Sequence, residues 1–158
     1  MSTAISNIYY MGKICKYALM STAIDIPSLL RGHGLRLTPQ RLTVAELVLS
    51  KPAHVTARKV YQTLKEDHPA LSLNTVYLTL GQFEKSGLLD RFEINGNAVF
   101  DSNTTPHNHA CCSCCGTIMD LPVHPAEQQQ APAQISQWQI QAERRIWVGL
   151  CPQCISDS

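Results

Sequence analysis

Residues 72–101 read SLNTVYLTLGQFEKSGLLDRFEINGNAVFD. Ser72 is suited to cap a helix, Val76, Tyr77, Leu80 and Phe83 recur at a spacing for burial, and Gly87 is a stop. The pattern predicts a helix from Ser72 to about Ser86. Beyond it, Leu88–Ile94 and Ala98–Asp101 read as two strands around the turn Asn95-Gly96-Asn97, the strongest short hairpin signal in the chain. Upstream, Pro27–Arg31 reads as a short helix ended by Gly32 and Gly34. Thr38 caps a second helix, with Pro39 at its first position, running to about Ser50 on an apolar face of Leu42, Val44, Ala45, Leu47 and Val48. Thr56 caps a third, with Val60, Tyr61 and Leu64 facing inward. Short helices followed by a β-hairpin form the winged helix-turn-helix arrangement, with Ser72–Ser86 as the recognition helix. A small helical domain without a nucleic-acid role shares the pattern.

Charge favours the first reading. The 158 residues carry a net charge of +1, which hides an asymmetry. Residues 1–91 hold eleven Lys and Arg against six Asp and Glu, whereas residues 92–158 hold two against six. Arg36, Arg41, Arg58, Lys59, Lys65, Lys85 and Arg91 make the first half a suitable surface for phosphates. Hydrophobic residues make up 44%, enough for a core, and no apolar stretch reaches the roughly 18 residues of a membrane span. No apolar run with a small-residue cleavage site opens the chain, so no signal peptide is expected. Met1-Ser-Thr-Ala-Ile5 recurs as Met20-Ser-Thr-Ala-Ile24, and residues 1–19 are expected to be a poorly ordered extension.

The acidic half concentrates thiols and imidazoles. Six of the seven cysteines lie there, in Cys111-Cys112-Ser113-Cys114-Cys115 and Cys151-Pro152-Gln153-Cys154. An odd count with adjacent cysteines is not a secreted disulfide framework; a reduced cytoplasmic protein holding a metal fits better. Two Cys-x-x-Cys knuckles suit one closed structural zinc. The first run permits two frames, Cys111/Cys114 and Cys112/Cys115, and Gly116 after Cys115 favours the second. The 35 residues between the knuckles require a sub-domain between them. His107 and His109, two apart on a strand, project to one face. With His54, Asp101 and Asp120 they form a second, imidazole–carboxylate group suited to Fe(II), Mn(II) or Zn(II).

Together these motifs resemble the ferric uptake regulator family of metal-dependent repressors over about residues 26–155. The carriers are Gly34-Leu-Arg-Leu-Thr-Pro-Gln-Arg41, His54-Val-Thr-Ala57 with Val60-Tyr61, Leu73-Asn-Thr-Val-Tyr77, Val99-Phe-Asp101, His107-Asn-His109, Cys112-x-x-Cys115-Gly116, Asp120 and Cys151-x-x-Cys154. The resemblance implies an α+β chain with an N-terminal winged helix-turn-helix domain and a C-terminal α/β dimerisation domain. Its expected divisions are 1–19, 20–101, a hinge at 102–105, and 106–158. It implies a cytoplasmic homodimer on an inverted-repeat operator in double-stranded DNA, contacted through Arg36, Arg41, Asn74, Thr75 and Tyr77. It also implies structural zinc on Cys112, Cys115, Cys151 and Cys154, and regulatory Fe(II) or Mn(II) on His54, Asp101, His107, His109 and Asp120.

Asp at both carboxylate positions is similar to the peroxide-sensing branch, which implies oxidation of a His ligand, loss of iron and release of DNA. An iron- or manganese-responsive repressor, and a zinc-binding or metal-storage protein without DNA, are the alternatives. Pro106 and Asn108 stand where many members carry a further ligand set, so two metal sites are expected. Leu78 replaces a common polar residue beside the recognition Tyr77. The Gln-rich segment Pro125–Trp138, broken by Pro132, allows at most a short or kinked helix. No spare carboxylate stands beside an open zinc, so an enzyme is not expected.

Overall fold

The computed structural model describes residues 24–51, 54–123, 133–140 and 143–156. Its elements run α1 (Ile26–Gly32), α2 (Pro39–Leu49), β1 (His54–Val55), α3 (Ala57–Leu64), α4 (Leu73–Lys85), β2 (Asp90–Ile94), β3 (Asn97–Asp101), β4 (Asn108–Cys112), β5 (Ile118–Leu121), β6 (Ile146–Gly149) and α5 (Pro152–Ser156), with a short 3-10 turn at Ala133–Ile135. The expected extension at residues 1–19 lies outside the described residues, as does most of the Gln-rich segment.

Each of the first four helices begins where a side chain accepts an otherwise unpaired N–H. Thr38 accepts from Arg41, Thr56 from Lys59 and Ser72 from Thr75. Asp25, unremarked in the sequence, does the same for α1. Helix α4 ends in a Schellman motif, in which the Leu88 N–H reaches the Phe83 carbonyl at 2.9 Å and the Gly87 N–H reaches Glu84 at 3.0 Å. This turn needs the positive φ of Gly87 (76°), and it throws Leu88 into the core. The expected strand Leu88–Ile94 is therefore shorter, starting at Asp90. Gly34 and Leu35 close α1 by the same pair of bonds onto Arg31 and Leu30, so Gly32 remains helical.

Ile26, Leu30, Val44, Val48, Val60, Val76, Leu80, Phe83 and Leu89 join one core in the N-terminal half. Two three-stranded sheets follow, ordered β1-β3-β2 and β5-β4-β6. The hairpin turns on two residues, Asn95 and Gly96, both at positive φ, with Ile94 paired to Asn97. In the second sheet β5 runs antiparallel to β4, and β6 runs parallel to it. Among the described residues between the two cysteine knuckles, β5 and β6 are strands of the sheet that carries the knuckles.

Candidate functional site

Two cross-strand pairs build the mixed cluster. His54 stands opposite Asp101 on β1 and β3, and His109 stands opposite Asp120 on β4 and β5. Opposed residues share a face of their sheet, so each pair points one imidazole and one carboxylate the same way. His107, just before β4, supplies the fifth group. One donor atom from each of the five lies within 4.8 Å of the others. Asp101 is 1% exposed, and its Oδ2 sits 3.4, 2.9 and 3.2 Å from the Nε2 atoms of His54, His107 and His109.

The hinge supplies the outer partners. The Asn103 N–H donates to Asp101 Oδ1 at 2.8 Å, and its side-chain amide donates to Asp120 Oδ2 at 3.2 Å. His107 Nδ1 lies 2.7 Å from the Thr105 carbonyl. A carbonyl only accepts, so the ring proton sits on Nδ1 and a neutral His107 turns a bare Nε2 lone pair toward Asp101 and toward His109 Nε2, 2.9 Å away. His54 Nε2 is buried without an aligned hydrogen bond, although Asp120 Oδ1 is 2.8 Å away. Three imidazole nitrogens and two carboxylates converge here, so the donor set fits a divalent cation of the imidazole–carboxylate class.

The electrostatics agree. The neighbouring Asp101 carboxylate raises the His54 pKa against the cost of burial, with Asp120 adding to the attraction. Burial opposes ionisation of Asp101, yet hydrogen bonds from His54, the Asn103 N–H and His109 outweigh it and hold the carboxyl at about 2. His109 shifts the other way: burial lowers its pKa despite the bond to Asp101.

The second cluster joins Cys112, Cys115, Cys151 and Cys154, again with all donor atoms within 4.8 Å. Register explains it: Cys112 pairs with Gly149 on parallel β6, and the Ser113 N–H bonds the Gly149 carbonyl at 2.8 Å, so the two knuckles leave the sheet side by side. Cys115 Sγ and Cys151 Sγ are 3.8 Å apart. That is the edge of a sulfur tetrahedron around zinc with bonds of about 2.3 Å, and far beyond a disulfide. Backbone N–H groups of Cys115 and Cys151 lower the Cys112 thiol to about 6, and Thr117 lowers Cys115. Cys111 is buried in β4 and Cys114 is exposed; neither belongs to the tetrad.

On α4, Val76, Thr79, Leu80 and Phe83 face the core, and Tyr77, which its spacing allowed in the core and the resemblance set against DNA, is 48% exposed. The inner stripe is set by Val76, Leu80 and Phe83, four and seven residues apart, and Tyr77 lies one step of about 100° away from it. Leu78 and Asn74 are exposed beside it, while Thr75 is half-buried with its hydroxyl 2.8 Å from Ser72. Arg36 is exposed, but Arg41 directs its guanidinium to the Arg36 carbonyl and the Gln82 side chain.

The model of the ferric uptake regulator family matches residues 32–144. The chain belongs to this family. Among family relatives, the peroxide operon regulator of Bacillus subtilis is 34% identical over 128 residues, spanning 79% of this chain and 88% of that protein. The peroxide-responsive repressor PerR of Staphylococcus saprophyticus is 31% identical over 79% of this chain and 86% of its own. Among solved members, the ferric uptake regulator of Vibrio cholerae superposes with a TM-score of 0.66 at 29% identity, covering 80% of this chain and all of that one. That of Pseudomonas aeruginosa, determined with manganese, gives 0.62 at 26% identity over 82% and 99%. The family fold of winged-helix and dimerisation domains is thus the α+β class expected from the sequence.

Asn103, Thr105, Phe92 and Arg144 contact the cluster or its neighbours and were not singled out from the sequence. An Asp101-x-Asn103 spacing was the available signal for the first.

Proposed function

We propose that this chain is a metal-dependent, DNA-binding repressor that responds to peroxide, acting as a regulator and not as an enzyme. The observation that carries the reading is the five-donor cluster spanning the hinge, with Asp at both carboxylate positions, in a chain similar to two peroxide-responsive regulators. His54 comes from the DNA-binding half and His109 and Asp120 from the other, with Asp101 and His107 on either side of the hinge. Drawing these five together sets the angle between the halves, and two winged helices engage two half-sites only at a suitable separation. The proposed divisions are 20–101, a hinge at 102–105, and 106–158.

His54, Asp101, His107, His109 and Asp120 would hold Fe(II), which would activate peroxide, and a neighbouring imidazole is the group that peroxide oxidises. The net change breaks the peroxide O–O bond, replaces a ring C–H with C–O, and releases water. A modified His54 no longer ties β1 to β4 and β5. The four-cysteine tetrad would hold structural zinc, which contributes folding free energy to the second half. Apolar side chains exposed on the second sheet, Met119 and Trp147 on one face and Val148 on the other, support a homodimer, and the inverted-repeat operator follows from such symmetry. A reduced tetrad of thiols suits a cytoplasmic setting; among the described residues no helix is long and apolar enough to cross a membrane.

The test is a gel shift on operator DNA with Mn(II), Fe(II) or no metal, followed by mass spectrometry of the His54 and His107–His109 peptides after peroxide treatment. One added oxygen on the Fe(II) form with loss of DNA binding is expected. Unmodified histidines with retained binding would replace peroxide sensing by plain iron or manganese sensing.

A further inference from the structure

A second connection crosses between the halves, and it uses no metal ligand. Arg144 lies two residues before β6, on a segment fixed to β4 by the His109 N–H bonding the Arg145 carbonyl at 3.0 Å. Its guanidinium reaches across to the hairpin, donating to Asp90 Oδ2 at 2.8 Å and to the Arg91 carbonyl at 2.9 Å. The same group lies 5.4 Å from the centre of the Phe92 ring. Phe92 is buried and packs against His109, with ring centres 4.3 Å apart.

Strand register adds a reason for a cation at this place. Asp90 stands directly opposite Asp101 in the hairpin. Carboxylates opposite one another on a sheet repel. Arg144 compensates Asp90 from the other half of the molecule, while the fork of its guanidinium takes up a carboxylate, a carbonyl and an aromatic face at once.

We propose that Arg144 is a positioning residue: a metal-independent strut that holds the wing strand β2 against the second sheet and presses Phe92 onto His109, so that the five donors are preassembled before metal arrives. The strut deepens the reading of the cluster as a regulatory metal site and rests on it. Its consequence is that part of the closure belongs to the protein itself. Metal selects a state already populated, and apparent affinity is reduced only by the fraction of chains that are open.

The test compares the parent chain with Arg144→Ala and Asp90→Ala, all holding one zinc per chain. Spin labels on unnatural amino acids at Lys65 and Gln153 report the distance between halves without regulatory metal, and calorimetry reports Mn(II) binding. The expected result is a broader, longer distance distribution in both variants and Mn(II) binding weakened about tenfold, within the 5–150-fold range of ordinary coupling. The double variant should lose no more than either single one, and Asp90→Arg combined with Arg144→Asp should recover part of the loss. Distances and Mn(II) affinities equal to the parent's in both single variants overturn the strut. The distance is read without metal, so failure of the metal-site reading leaves that arm decisive; Asp90→Ala decides the matter should Arg144→Ala not fold.

Discussion

At the scale of single residues, Asp101 organises the centre. It is buried, it receives the Asn103 N–H, and three imidazole nitrogens surround one of its oxygens. The residues around it divide into donors and supports, and substitution separates them. His54→Ala removes the donor contributed by the DNA-binding half. It should weaken Mn(II) binding by about 100-fold or more, since even outer partners of a metal site are worth 10–100-fold; zinc content by elemental analysis should stay at one per chain. Asn103→Ala leaves all five donors in place and removes the amide that steadies Asp120. About tenfold weaker Mn(II) binding is expected in calorimetry, and an unchanged affinity would remove Asn103 from the support shell. The spacing of His107 and His109 suggested one shared face, and the resemblance to the family implied the full set of five donors. Asn103 and Arg144 were not legible in this way, since an amide or a guanidinium gains a role only from what lies opposite.

At the scale of elements, most boundaries follow from chemistry within a few residues of each end. Thr38, Thr56 and Ser72 all cap the helices expected of them. Ser72 also bonds the Thr75 hydroxyl at 2.8 Å, tying down the start of the recognition helix. Ser72→Ala should destabilise the protein by about 1 kcal/mol, the usual cost of losing an N-cap, read as a lower urea midpoint at constant slope. Two elements escape such local reading. Strand β1 is two residues long, too short for any alternation, and exists because His54 and Val55 pair with Asp101 and Phe100. Strand β6 carries Trp147 and Val148 exposed on both sides of the pleat, so it lacks the polar alternation that marks a strand, and its partner β4 lies more than thirty residues upstream.

At the scale of the whole molecule, the core is unevenly shared. The clustered buried side chains lie in the N-terminal half, whereas the second sheet leaves Met119, Trp147, Val148 and Leu150 exposed and is pinned at one end by four cysteines. On the proposed function, zinc and a partner supply what a core would otherwise give such a sheet. Cys112→Ser should therefore abolish zinc retention and dimerisation together, observed as a monomer or aggregate in sedimentation, while the helices of the first half keep their circular dichroism. Trp147→Glu should separate the two effects, giving a monomer that retains one zinc per chain. A dimeric Trp147→Glu protein would move the interface off this face.

Sequence alone determined the helices with their caps, the Asn95-Gly96 hairpin, the split of charge between the halves and the inventory of metal donors. All of these rest on interactions between residues close together in the chain, or on composition. Only the tertiary structure decided which donors meet. Gly116 already favoured Cys112 over Cys111, and the parallel register that sets Cys112 against Gly149 brings it beside Cys151 and Cys154. The meeting of His54 and Asp101 with His109 and Asp120 comes from two sheets, each aligning one pair, brought face to face across the hinge. The Arg144 strut arises at that same junction. Register and docking are energies of long-range pairing and burial, and a linear pattern of residues does not carry them.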